Sequence, residues 1–99
     1  MAINNNNAIA EFNSIDSDTL AVTLVAEHGN RVGLQIFNDS SANNLLVLWG
    51  GDATTSNFSF KIAKGALYEM PLSYTSVSAT GIWDGDGSGS AKVTEIRDI

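Results

Sequence analysis

Short runs of alternating apolar and polar residues, separated by turn-forming residues, constrain the fold of this chain more than any other feature. Phe58, Phe60 and Ile62 alternate with small or charged residues, and a turn at Lys64-Gly65 follows them. A period of two places apolar side chains on one face of a strand, whereas a helix needs a period near 3.6. Turn signals recur about every eight to twelve residues, which is typical of a β-sandwich or barrel.

The apolar members of these runs predict about seven strands. The predicted faces are Leu20, Val22, Leu24 and Ala26; Val32, Leu34 and Ile36; Leu45 to Trp49; Phe58, Phe60 and Ile62; Tyr68, Met70 and Leu72; Val77, Ala79 and Trp83; and Ala91 to Ile96. We expect the last run to form a terminal hairpin with the one before it, across the glycine-rich loop at residues 84–89. Residues 19–99 are therefore predicted to form an all-β domain, an antiparallel sandwich or barrel.

The N-terminal segment, residues 1–18, has a different character. It contains a run of four Asn, neither Gly nor Pro, and no clean apolar period of two or 3.6, so we interpret it as an extended arm. Its apolar residues are too far apart to form a core but too numerous for a solvated tail: Ile3, Ile9, Phe12 and Ile15. Burying them would yield roughly 6 to 12 kcal/mol, while ordering the arm costs on the order of 20 kcal/mol or more. We therefore predict that the arm is mobile until it docks on a partner protein.

Charge and composition narrow the classes of partner. The 99 residues suffice for one domain, and a hydrophobic content of 43% suits a globular core. The net charge of -6 opposes approach to phosphate backbones and anionic membranes, so we expect neither nucleic acid nor a membrane as partner. The N-terminus has no signal-peptide pattern, and no apolar run approaches the roughly 20 residues of a membrane-spanning helix.

One loop has a spacing that suggests metal binding. Asp84-x-Asp86-x-Ser88-Gly89, with Glu95 at the twelfth place, approximates the ligand spacing of an EF-hand calcium loop. An EF-hand needs a helix on each side, but both flanks here have strand patterns. We therefore interpret the loop as a hairpin tip, with a weak divalent-cation site as the alternative.

Residues that could support catalysis are sparse. His28 is the only histidine, it lies in turn-forming sequence, and the chain has no cysteine to form a metal site or nucleophilic dyad with it. No serine lies in a Gly-x-Ser-x-Gly elbow. Carboxylates of Asp52, Glu69, Asp84 and Asp86 could face one another as a glycosidase pair, but a domain of 99 residues rarely encloses a substrate cleft. We therefore predict that the protein is not an enzyme and that it has no catalytic residue, no metal and no cofactor.

Four large aromatic residues leave three interpretations open. Trp49, Tyr68, Tyr74 and Trp83 could belong to the core, anchor a protein interface, or form a platform on which sugars stack. Aromatic residues on strands mostly pack inside, which favours the core.

Several segments resemble small virion proteins of tailed bacteriophages, and the likeness extends over residues 30–96. The segments that carry it are Asn30-Arg31-Val32-Gly33-Leu34-Gln35-Ile36-Phe37-Asn38-Asp39-Ser40, Leu45 to Gly50, Phe60-Lys61-Ile62-Ala63 with Gly65, Tyr68-Glu69-Met70-Pro71, Gly81-Ile82-Trp83 and Val93-Thr94-Glu95. In size, acidity, β-content and the presence of an arm, the chain most resembles a capsid decoration (cement) protein.

The resemblance implies a role on the virion. A decoration protein would bind the outer surface of the major capsid protein lattice as a homotrimer and stabilise the head. It would be made in the host cytoplasm and end on the capsid outer surface, with residues 1–18 as the docking arm. The alternative is a head-fibre, tail or other virion-surface domain that binds host carbohydrate through Trp49 or Trp83.

Overall fold

The computed structural model of the chain describes residues 8–71, 76–85 and 89–98. That part contains eight β-strands and no helix. The strands are β1 (Ala8–Asp16), β2 (Val22–Val25), β3 (Arg31–Asp39), β4 (Leu45–Trp49), β5 (Phe60–Ile62), β6 (Leu67–Glu69), β7 (Ala79–Trp83) and β8 (Ser90–Asp98).

The strands form two antiparallel sheets of four strands each. Sheet I has the order β1-β8-β3-β6, and sheet II has the order β2-β7-β4-β5. The core lies between the two sheets, and its largest fully buried apolar side chains are Trp83, Ile36, Leu45, Val47 and Val93. The prediction of an all-β antiparallel sandwich is therefore confirmed, and the alternative of a closed barrel is not realised.

The first described strand lies within the segment that the sequence predicts to be an arm. β1 pairs with β8 along all nine of its residues without a register shift, so residues 8–16 are an edge strand of the sandwich. The inner face of β1 includes Glu11 and Asn13 beside Ile15, so the strand lacks the apolar alternation that marks a half-buried strand. Residues 1–7 of the predicted arm lie outside the described residues.

Two predicted strand faces are interrupted by irregular pairing. The register of β3 with β8 shifts between Arg31 and Gly33, so Arg31 is buried and Val32 is exposed, contrary to the predicted face. In β2 a similar shift after Thr23 buries both Leu24 and Val25. A bulge adds a residue to one strand and breaks the strict alternation on which the predictions depend.

The predicted terminal hairpin is wrong. β7 pairs with β2 and β4 in sheet II, while β8 pairs with β1 and β3 in sheet I. The segment between them therefore crosses from one sheet to the other. Both strands contribute buried side chains, Trp83 from β7 and Val93 from β8, and these pack in the same core. Alternation of apolar and polar residues shows that a strand has an apolar face. It does not show whether two such strands are neighbours in one sheet or lie in opposite sheets across the core.

Candidate protein-interaction site

The edge strands of the two sheets differ sharply in length and regularity. β1 has nine residues, whereas β5 and β6 have three each and β2 has four with a bulge. Natural edge strands are commonly protected from pairing by short length, bulges, Pro or charged side chains, including charges that point inward. β1 contains no Pro, Gly or Lys and has no bulge. Within the described part of the chain, β1 is thus the one long edge without a bulge or Pro, and the charge of Glu11 on its inner face is paired with Arg97.

The pairing of β1 with β8 determines which backbone groups face the open side. The backbone N–H of Ser17 donates to the Gly89 carbonyl over 3.0 Å, in the same register as β1 and β8. Hydrogen-bonded pairs alternate along an antiparallel ladder, so the odd-numbered residues 9–15 bond to β8. The backbone groups of Ala8, Ala10, Phe12, Ser14 and Asp16 therefore point away from the sheet. No other described strand pairs with them.

The predicted docking residues do not share one face of β1. Ile15 packs against the core, and Ile9 lies on the same inner face but is 43% exposed. Phe12 lies on the opposite, outer face of sheet I and is 62% exposed. Ile3 lies outside the described residues. The sequence identified an apolar segment correctly, but the structure divides its side chains between the two faces of the sheet.

The outer face of sheet I has further apolar residues that the sequence did not indicate as a surface. The cross-strand register places Ile96, Phe37 and Leu67 on the same face as Phe12, and Leu67 is exposed. A shallow depression of about 290 Å³ lies beside Ile96, where Gly33 contributes no side chain. Their common face depends on the strand order β1-β8-β3-β6, and no local signal in the sequence specifies that order.

A polar cleft of about 320 Å³ separates β1 from β2. Arg97 pairs with Glu11 at 2.5 Å, and its Nε lies 3.6 Å from Glu95 Oε1. Arg31, wholly buried, pairs with the other Glu95 oxygen at 2.8 Å. The two arginines and two glutamates form one chain of ion pairs. These charged groups compensate one another, so we assign no separate ligand to the cleft.

The residues of the EF-hand-like loop have other roles in the described structure. Both carboxylate oxygens of Asp84 accept hydrogen bonds from Asn44, one from the backbone N–H at 3.0 Å and one from the side chain at 3.1 Å. Glu95 lies in β8 and pairs with Arg31, while residues 86–88 are outside the described part. In the described residues, no group of three or more His, Cys, Asp or Glu side chains could hold a metal ion. His28 lies at a turn, where its Nδ1 accepts the Asn30 N–H.

The aromatic residues divide between the core and one side of the sandwich. Trp83 is buried, and its indole N–H donates to Asn38 Oδ1 over 3.1 Å, so the interpretation of Trp83 as an exposed sugar platform is wrong. Trp49, Phe60 and Tyr68 are half-buried and pack on one another, with Phe60 and Tyr68 stacked at 4.1 Å between ring centroids. Tyr74 lies outside the described residues.

Comparison of the chain with protein-family models, curated proteins and solved structures finds no match. Among the described residues, no helix is long and apolar enough to cross a membrane.

Proposed function

We propose that this chain is a capsid decoration protein of a tailed bacteriophage that binds the outer surface of the major capsid protein lattice and stabilises the head. Two lines of reasoning support the proposal. One is the resemblance of residues 30–96 to small phage virion proteins. The other, which carries the proposal structurally, is the exposure of Phe12 on a long edge strand without a bulge. The proposed location is the outside of the virion, after synthesis in the host cytoplasm, and the implied homotrimer stays a prediction.

The exposed face around Phe12 can supply binding energy to a protein surface. Burying one phenylalanine side chain contributes about 1.5 to 3 kcal/mol, and Leu67 adds a second apolar contact on the same face. One such contact cannot hold two proteins together against the cost of association. Many copies of this chain, each bound to the repeating lattice of the major capsid protein, would together stabilise the shell. Because the chain has a net charge of -6, we expect its binding surface on the lattice to be neutral or basic.

A binding experiment on purified capsids tests the proposal. We expect Phe12→Ser to weaken binding about tenfold or more, because about 1.4 kcal/mol corresponds to a factor of ten. Leu20→Ser is the matched control, since Leu20 is 72% exposed and lies outside the strands. The control should bind like the wild type. Equal binding by wild type and Phe12→Ser would contradict the proposed surface.

The number of copies on intact virions separates the proposed role from other virion roles. A decoration protein should co-purify with capsids in a near-stoichiometric ratio to the major shell protein. A few copies per particle would instead favour a head-fibre or tail component. This measurement needs no variant and does not depend on which surface makes the contact.

A virion-surface domain that binds host carbohydrate is the second candidate, and the aromatic cluster of Trp49, Phe60 and Tyr68 favours it. Trp49 is half-buried, whereas Trp83 is fully buried, so a glycan bound at the cluster should change the emission of Trp49 alone. A Trp49→Phe variant provides the control, because its remaining tryptophan should not respond. Unchanged wild-type fluorescence across host polysaccharides would count against this candidate.

A further inference from the structure

The open edge of β1 is suited to backbone pairing with another strand. We propose that β1 pairs antiparallel with β1 of a second copy of this chain. Sheet I of one copy and sheet I of the other, with four strands each, would then form one continuous sheet about a two-fold axis at Phe12. Isologous pairing of this kind places the same surface of each copy against itself. The pairing concerns the free protein in solution and does not require the proposed capsid role; on the capsid, contact of Phe12 with the lattice and the implied homotrimer would replace it.

The backbone geometry of β1 fits a symmetric pair centred on its middle residue. Phe12 is the midpoint of Ala8–Asp16, and its backbone groups face the open edge. About this centre Phe12 faces Phe12 of the second copy, Ala10 faces Ser14, and Ala8 faces Asp16. Each facing pair exchanges two backbone hydrogen bonds, so the five pairs would form about ten. The two phenylalanine rings, each 62% exposed in the single chain, would meet on the outer face.

The charges and apolar side chains of β1 are compatible with this register. Glu11 faces Asn13 of the second copy and Asp16 faces Ala8, so no carboxylate lies opposite another. An axis at Glu11 would instead place two glutamates face to face. An axis at Asn13 would leave residues 8 and 9 without a facing residue in the second β1. On the inner face of the proposed register, Ile9 faces Ile15 of the second copy, which would cover the partly exposed Ile9.

Sheet II leaves room for the second copy. β2, the edge strand of sheet II, contacts β8, and the polar cleft separates β2 from β1. β1 therefore projects beyond the edge of the opposite sheet. In the joined sheet, the two β8 strands would be three strand spacings apart, about 14 Å. In each copy, β2 lies over β8, so the two β2 strands would be separated by a similar distance. The two copies of sheet II therefore need not collide.

Electrostatic repulsion between the copies makes the pairing dependent on salt. Each chain has a net charge of -6, and this charge opposes association at low ionic strength. Screening at 0.5 M salt reduces repulsion beyond a few ångströms. We therefore expect the dimer dissociation constant to fall as salt is added. A purely polar contact between opposite charges would show the reverse dependence.

Sedimentation of the intact chain, with a mass of 10.5 kDa, tests the pairing directly. We expect the wild type to shift to twice that mass as concentration and salt rise. Ala10→Pro removes one backbone donor at the open edge and no hydrogen bond to β8, so it should weaken dimerisation at least tenfold. Its urea midpoint, measured in parallel, should remain near that of the wild type. Leu20→Ser should dimerise like the wild type.

Disulfide cross-linking tests the register and does not depend on Ala10→Pro. The chain has no cysteine, so any cross-link reports only the introduced residues. Ala10→Cys/Ser14→Cys should form a covalent dimer under mild oxidation, because Cα atoms in facing hydrogen-bonded pairs are about 5.5 Å apart. Each single variant should cross-link much more slowly. The proposal is overturned by a monomer at all concentrations, by equal cross-linking of the single variants, or by a trimer that Ala10→Pro leaves unchanged.

Discussion

Arg31 connects both sheets at one end of the sandwich, and its removal should be costly. Its Nε donates to Glu95 Oε2 at 2.8 Å, while Nη1 and Nη2 donate to the carbonyls of Val77 and Ala26 at 2.7 Å each. The Arg31 side chain is fully buried. The guanidinium thus joins β3 to β8 and also to the segments that follow β2 and precede β7. Such a fork of charge-assisted bonds is among the stronger polar contacts in a protein.

The expected loss of folding stability follows from the burial of the Arg31 side chain. Arg31→Met retains an apolar stem but leaves Glu95 Oε2 and two carbonyl oxygens without their donor, while Arg97 still lies 3.6 Å from Glu95 Oε1. Breaking a buried ion pair by removing one partner costs about 3 to 5 kcal/mol. A domain of this size has a total stability of about 5 to 15 kcal/mol, so the variant would lose a large part of it. At about 4 to 8 °C per kcal/mol, its Tm should fall by more than about 12 °C.

Urea unfolding followed by tryptophan fluorescence measures the loss, because Trp83 is buried in the folded core. Glu11→Gln is the control, since it disrupts the pair of Arg97 with a glutamate side chain that is 54% exposed. Exposed pairs contribute about 0 to 1 kcal/mol, so this variant should unfold close to the wild type. A loss below about 1 kcal/mol for Arg31→Met would show that the buried guanidinium contributes little to stability. A double variant, Arg31→Met/Glu95→Leu, that loses the full sum of its single substitutions would show that the two side chains are not coupled.

Two further predictions concern packing and metal binding. Gly81→Ala would place a Cβ atom 2.8 Å from a methyl group of both Leu24 and Leu45, so we expect it to destabilise the protein by about 1 to 3 kcal/mol in urea unfolding. A Gly81→Ala variant as stable as the wild type would show that these leucines move aside freely. Calcium should neither release heat on titration nor raise the Tm, because Asp84 bonds Asn44 and Glu95 is held in β8. A Tm that rises with calcium concentration would indicate a site.

Alternation along the sequence was enough to predict the class of fold and most of the strands. The runs at Leu45 to Trp49 and around Phe60 are strands β4 and β5, because a period of two is a local property that a pleated backbone converts directly into two faces. The predictions went wrong where a bulge interrupts that period. At Arg31 and Val32 the extra residue exchanges the buried and exposed positions. No nearby residue in the sequence indicates that the buried and exposed positions are exchanged there.

Part of the candidate site was also visible in the sequence. Ile9, Phe12 and Ile15 were recognised as apolar residues outside the predicted domain, and the structure leaves Ile9 and Phe12 exposed. The arm interpretation missed β1 because the inner face of this strand borders a polar cleft rather than the core. Glu11 and Asn13 occupy positions that would be apolar in a covered strand. An edge strand of this kind has little local signal, since its pairing depends on β8 at the other end of the chain.

Residue types and their local order are sufficient to specify the acidic charge, the absence of cysteine, the all-β class and the positions of most strands, since each depends on residue type or on neighbouring residues. The folded arrangement is needed to see that β1 completes sheet I, that β7 and β8 lie in different sheets, and that Trp83 is buried. These features arise from contacts between residues distant in sequence, whose pairing is selected by the packing of the whole core. The open edge of β1 is therefore a property of the assembled sandwich.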